Sequence, residues 1–318
     1  MTVKYALKRI GTMLITMVIV SFLAFVAFDL ISGDAATAIL GTEATPEALE
    51  ALRQELGLNR PLIIRYAEWL LGFFTGNLGV SHQYQMPVAE LLGPKLLVTL
   101  GLSLLRVLII TAVSSPLGLR SAGRAGGRLD GLRTALNQLC MAVPPFFIGI
   151  VVTWVFSIQL HWFIHGQFPD LKTNFGGAIA YLVFPAVTIA IPRIAMTVRM
   201  LHSTILSEMQ KDYVRTAIAR GNDRQAVLRR HVLKNALVPV VTFLAQTMAE
   251  ILAGSIVVEQ VFGIPGLGRL MVASISNRDT MVVQTIVVIL AFWVVLSSTV
   301  ADIVNQRIDP RLRLGGNS

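Results

Sequence analysis

Five histidines (His82, His161, His165, His202 and His231) are the side chains here best suited to holding a metal, and their scattered spacing argues against it. Only His161 and His165 stand one helical turn apart. No carboxylate or cysteine joins them at ligand spacing, so they read as interfacial residues beside Trp162 rather than as a zinc pair. Cys140 is the single cysteine and lies in an apolar run, which leaves no disulfide framework and no thiolate cluster. Neither Gly-Lys-Ser nor Gly-Lys-Thr occurs, so there is no phosphate-cradling loop. The serines lack a Gly-x-Ser-x-Gly elbow. These residues predict a non-catalytic chain that binds no metal and no cofactor itself.

Charges set inside apolar runs carry more information. Arg106, Arg193 and Glu250 interrupt otherwise apolar segments. A charge at the centre of a bilayer costs about 2.5–3.5 kcal/mol on insertion scales, so it faces a cavity or a partner. Arg193, near the inner end of its run, reads as a snorkelling residue. Arg106 and Glu250 are expected at a translocation pathway or a subunit interface.

The elements that must position these residues are apolar and long. Of 318 residues, 54% are hydrophobic and only 14% charged, against about 25% charged in an average soluble domain. Six runs approach the roughly 20 apolar residues that a bilayer-spanning helix needs. They are 10–30, 96–119, 132–160 with a Pro144-Pro145 break, 178–200 broken at Pro185 and Pro192, 236–258, and 281–304. The first run follows Lys4, Lys8 and Arg9 and precedes small residues, as in a cleaved signal peptide. It exceeds the 7–15 residues of a signal core, so it is expected to be retained.

Basic residues then orient the spans. With the N-terminus inside, the four inner segments hold three, four, eight and three Lys/Arg, 18 in all, against 7 outside. The net charge of +9 is therefore a topology signal and not a nucleic-acid surface. The expected layout has both termini cytoplasmic. Residues 1–31 form an inner segment and the first span, and 32–95 an outer helical segment. Residues 96–304 form a five-helix core with an inner loop at 202–235 and an outer loop at 259–280, and 305–318 an inner tail.

The polar pieces can be read locally. Thr45 and Pro46 start a short helix that Gly57 stops, and a second helix is expected from Pro61 to Leu71. Together they read as a cap on the membrane surface, with docking of an external partner as the alternative. The inner segment 202–235 reads as two short helices split at Gly221-Asn222, a helix-stop and turn signal. Its length exceeds that of most connections, and such loops are usually functional.

That segment carries a family resemblance. DYVRTAIARG (212–221), followed by LRRHVLKNALVP (228–239), resembles the coupling loop of binding-protein-dependent ABC importer permeases, in the dipeptide/oligopeptide/nickel branch. The general pattern is Glu-Ala-Ala-x3-Gly-x9-Ile-x-Leu-Pro. Its glycine falls on Gly221, its glutamate on Arg215, with Thr216 and Ala217 following, and its final proline position on Lys234. VFGIPGLGRL (261–270), with Gly263, Pro265, Gly266 and Gly268, and NRDTMVVQ (277–284) resemble the outer loop before the last span. ISGDAA (31–36), LRQELGLNRPL (52–62), GNLGVSHQYQMPVAELL (76–92) and DIVNQRIDPRLR (302–313) also fit. The weakest fit is the outer segment 161–177.

The resemblance implies an all-α membrane protein with the type I importer permease fold, about six spans and a cytoplasmic coupling helix. It implies a bacterial inner-membrane complex of this chain with a second homologous permease subunit (a heterodimer), two cytoplasmic ATPase subunits that bind ATP-Mg, and an extracytoplasmic solute-binding protein. Asp212, Tyr213, Val214, Arg215, Thr216, Ala217, Arg220 and Gly221 would form the ATPase-coupling helix, with Tyr213 and Val214 as an apolar anchor. Dipeptides, oligopeptides, nickel complexes, metal-opine complexes and glutathione stay open as solutes. The alternative is a secondary transporter or channel that works without an ATPase; that class favours an internal repeat, and none is visible between the two halves.

Overall fold

The chain is helical almost throughout in the computed structural model, which describes residues 3–32, 45–55, 57–123 and 130–308. Asp34 to Ala38, the tail from 309 and the Glu250 side chain lie outside the described residues. The physical cause is the solvent. In hydrocarbon a backbone N–H or C=O finds no water, so each must be satisfied within its own segment. Among the described residues, four helices are long and apolar enough to cross a membrane: 10–30, 88–123, 175–209 and 280–300. The count reaches six if each of two bent pairs is one span.

The chain divides into two compact units. The first comprises residues 2–99 and 265–295. In it α1 (Val3–Ser32) lies against α3 (Leu62–Thr75). Tyr66 of α3 is buried edge-on against Phe22 and Phe25, and its hydroxyl meets Ser21 Oγ at 2.8 Å. Arg65 pairs with Asp29. Between them α2 (Pro46–Glu55) begins at Thr45, whose Oγ1 accepts from the Ala48 N–H, and is followed by Gly57 in the left-handed region at φ +67°. Both features match the sequence reading. α3 runs four residues past the expected Leu71, until Gly76 at φ +82° caps it.

The rest of this unit brings two separate sequence segments together. The start of α4 (Val88–Gly123) packs Val88, Leu91 and Leu92 on Leu267 and Leu270 of α11 (Leu267–Ser276) and on Val282 and Ile286 of α12 (Thr280–Ile308). Asp279 precedes α12 and is 1% exposed. It accepts from Ser81 Oγ, the Gln83 N–H and the Val282 N–H, so one carboxylate holds the 79–87 turn against the 277–280 turn. Asp279→Ala strands a buried hydroxyl, at about 1–3 kcal/mol for the unsatisfied group. We expect a lower unfolding midpoint in detergent, with Asp279→Asn intermediate; an unchanged midpoint for Asp279→Ala would remove Asp279 from the account of this turn.

The second unit comprises residues 100–264 with the end of α12 from Leu296. α5 (Asp130–Ala142) and α6 (Pro145–Val152, continued by a π-helical stretch to Gln159) meet at 93°. A residue before proline is pushed out of the helical region; accordingly Pro144 is extended at ψ 140° and Pro145 opens the next helix. The third run is therefore two helices bent at the Pro144-Pro145 break that the sequence marks.

Pro185 and Pro192 behave differently from expectation. They do not break their segment: α7 (Phe175–Met209) is one 35-residue helix through both. Proline's fixed φ is compatible with a helix. Both prolines are buried. The hydroxyls of Thr188 and Thr197 bond back to the Phe184 and Arg193 carbonyls.

Candidate functional site

After Met209, α7 gives way to α8 (Asp212–Ala219), then α9 (Arg224–Val227), a π-helical turn to Val232 and α10 (Leu233–Phe262). The expected 34-residue loop with two separate helices is thus mostly an extension of the flanking helices. An established helix lengthens without a new nucleation penalty. Only α8 stands apart.

Eight residues do not hold a helix in water alone, so α8 depends on its docking. Val214 supplies it. It is 1% exposed and packs in a cluster with Ala122, Leu201, Ile205, Val227, Val232, Ala236 and Val240. Burying a valine contributes about 1.5–3 kcal/mol. Ala217 packs on the same cluster one turn later.

The opposite face of α8 is presented outward. Asp212 and Arg215 approach to 3.9 Å but are 98% and 76% exposed, so their pairing adds little and leaves both available. Thr216 and Arg220 are exposed, and Ile218 is 43% exposed. Gly221 then ends the helix at φ +86°, donating its N–H to the Ile218 carbonyl at 2.9 Å, while Asn222 Nδ2 donates to the Ala217 carbonyl at 2.9 Å.

Tyr213 departs from the expected apolar anchor. Its hydroxyl donates to Glu208 Oε2 at 2.8 Å and accepts from Asn235 Nδ2 at 3.3 Å. Burial is the main cause that raises its pKa above the ordinary tyrosine value, so it stays a protonated donor at neutral pH. Glu208 is 8% exposed and also accepts from Lys211 Nζ. Sequence reading passed over Glu208 and Asn235; the i, i+3 spacing of Glu208 and Lys211 was the available signal.

The outer motif divides. Gly263 caps α10 in the left-handed region at φ +66°, and a Cβ there would stand 2.7 Å from Gly166 Cα. Buried Tyr181 secures this approach by donating to the Phe262 carbonyl at 2.6 Å and accepting from the Gly166 N–H at 3.1 Å. Pro265 leads to Gly266, which precedes α11 in extended conformation, and Gly268 is buried within α11. The Leu267 N–H donates to Thr99 Oγ1 at 2.9 Å. Arg106, in α4, is 3% exposed.

The two left-handed glycines should respond differently to alanine. Both incur about 1–2 kcal/mol of backbone strain. Gly263→Ala adds about 1–3 kcal/mol of overpacking against the Gly166 backbone, whereas no atom lies within 4 Å of a Cβ at Gly221. Thermal unfolding of the purified variants should show the larger drop for Gly263→Ala; equal midpoints would contradict the close approach.

The sequence is similar to proteins of one known family. Residues 114–314 match the family described as binding-protein-dependent transport system inner membrane component, and residues 2–103 match that family's N-terminal domain. A probable peptide ABC transporter permease of Sinorhizobium fredii is 34% identical over 97% of this chain and 99% of its own length. The oligopeptide transport system permease AppB of Bacillus subtilis is 34% identical over 92% of this chain and 94% of its own. The dipeptide transport system permease DppB of Escherichia coli is 30% identical over 98% of each.

Proposed function

The chain belongs to the binding-protein-dependent transport inner membrane component family and is a permease subunit of an ABC importer; on that premise we propose that α8 is the element through which a cytoplasmic ATPase drives it. The observation that carries this is a short helix fixed on one side by Val214 and free on the other, closed by Gly221. A helix held only by its own chain would transmit nothing useful. One with an open outer face, set on the inner ends of α7 and α10, can pass a push directly into membrane helices.

An importer permease works with an ATPase and a binding protein. The finer assembly is a heterodimer with a second homologous permease subunit, two ATPase subunits carrying ATP-Mg, and the binding protein outside. Both termini and 202–235 are cytoplasmic, as the Lys/Arg bias supports. The relatives' names support a peptide-class solute, whether a dipeptide or an oligopeptide. Arg106 and Glu250 remain the candidates for the pathway or subunit interface, since a charge in a span needs a partner or a cavity.

Single cysteines in a Cys140→Ala background test this. Arg215→Cys and Ile218→Cys should cross-link to the ATPase subunit, and Asn222→Cys should be labelled only from the cytoplasmic side. Labelling of position 222 from outside, or no cross-link from α8 in a complex that retains its ATPase, refutes the assignment.

A further inference from the structure

We propose that Glu208, Tyr213 and Asn235 form a transmission latch that makes α8 move as one body with the inner ends of α7 and α10. The proposal rests on the coupling reading of α8 given above and adds what keeps the motion from being lost.

Docking through Val214 is not enough for that task. An apolar contact is non-directional, so a helix of eight residues held by one valine and the edge of Ala217 can roll about its own axis. Rolling would spend the ATPase stroke inside the joint. Hydrogen bonds are directional and fix such a rotation.

The required bonds are in place and converge on one atom group. Glu208 sits in the last turn of α7 and is 8% exposed. Each of its carboxylate oxygens is taken by the segment that carries α8: Oε1 by the Lys211 ammonium, Oε2 by the Tyr213 hydroxyl at 2.8 Å. The same hydroxyl accepts from Asn235 Nδ2 at 3.3 Å, in the first turn of α10. One phenol oxygen therefore joins three helices, using its single proton toward α7 and a lone pair toward α10. If α8 rolled, Oε2 of a mostly buried carboxylate would lose its hydroxyl partner while Lys211 kept only Oε1 paired, and a buried acceptor left unsatisfied costs about 1–3 kcal/mol.

Tyr213 acts here as a positioning residue. Phenylalanine retains its ring but can neither donate nor accept, so Tyr213→Phe removes the latch while Val214 stays docked. That separation makes the idea testable apart from ATPase binding.

The experiment uses the full complex of permease pair and ATPase subunits in lipid nanodiscs. Cys140→Ala is the background, and an environment-sensitive fluorophore on Lys172→Cys reports the outer side. The readout is the fluorescence change on trapping with ATP and vanadate, set against the hydrolysis rate. With the latch intact, trapping changes the signal. Tyr213→Phe should hydrolyse ATP at close to the parental rate yet lose about ten-fold in signal, the scale of one hydrogen bond to a charged group. Glu208→Ala should match it, and the Tyr213→Phe/Glu208→Ala double variant should fall no further. Glu208→Gln keeps an acceptor for Tyr213 and should retain most of the signal.

A full signal in Tyr213→Phe at unchanged hydrolysis overturns the latch, as do additive losses in the double variant. Loss of the ATPase from the Tyr213→Phe complex also overturns it, because Tyr213 would then belong to the docking face. If the parent complex contains no ATPase or hydrolyses no ATP, the coupling reading itself falls, and the latch with it.

Discussion

Gly221→Pro should lower ATP-driven solute uptake by about 100-fold or more while the chain remains inserted. Proline fixes φ near −65° and has no N–H. Gly221 stands at φ +86° and donates to the Ile218 carbonyl at 2.9 Å. Both requirements fail together, at about 3 kcal/mol or more, which is about 100-fold in an equilibrium. The conformational change needed to admit the ring redirects the end of α8, where Ile218 and Arg220 face outward. The apolar spans are untouched, so insertion persists. A side chain at this position enters open space, so Gly221→Trp carries backbone strain alone and should be the milder variant. Uptake assays beside pull-down of the ATPase subunit read the effect. Parental uptake by Gly221→Pro would reduce this segment to a basic topology anchor.

Val214→Asp should undock α8 altogether. At 1% exposure the new carboxylate would lie among Leu201, Ile205, Val227, Val232 and Val240, with no cation among those neighbours. An uncompensated buried charge is worth about 3–5 kcal/mol, more than the valine contact supplied. Release of α8 relieves that penalty at lower cost than unfolding the bundle, so the damage stays local. The expected result is a folded, inserted chain with faster cysteine labelling at Ala217→Cys, weak ATPase retention and no uptake. Val214→Ile, which keeps the apolar contact, should behave close to the parent. Normal uptake by Val214→Asp would mean that α8 is not held through this residue.

How far the sequence alone led depended on the physics of each element. Apolar length is a composition property, so the spans at 10–30 and 281–304 were legible from residue counts. Turn chemistry is equally local: Thr45, Gly57 and Gly221 announced their caps, and all three adopt them. Proline was ambiguous, because its effect depends on what surrounds the freed carbonyl. Pro144-Pro145 bends the chain through 93°, while Pro185 and Pro192 sit inside a straight-through α7. Contacts between distant segments carried no sequence signal at all. Ser81 and Asp279 meet directly, and Asn235 reaches Tyr213, only because the helices place them together. Within α8 the motif pointed to the proposed coupling helix but not to Tyr213 as a polar link.

The most direct test of the central claim is uptake of a radiolabelled dipeptide mixture by proteoliposomes, with and without the ATPase subunits and ATP. The account predicts no uptake and no ATP hydrolysis by vesicles holding this chain alone or with its permease partner. Uptake should appear only when the ATPase subunits, ATP and the binding protein are all supplied. Accumulation driven by an ion gradient in vesicles that hold this chain and no ATPase would contradict it and establish a secondary transporter instead.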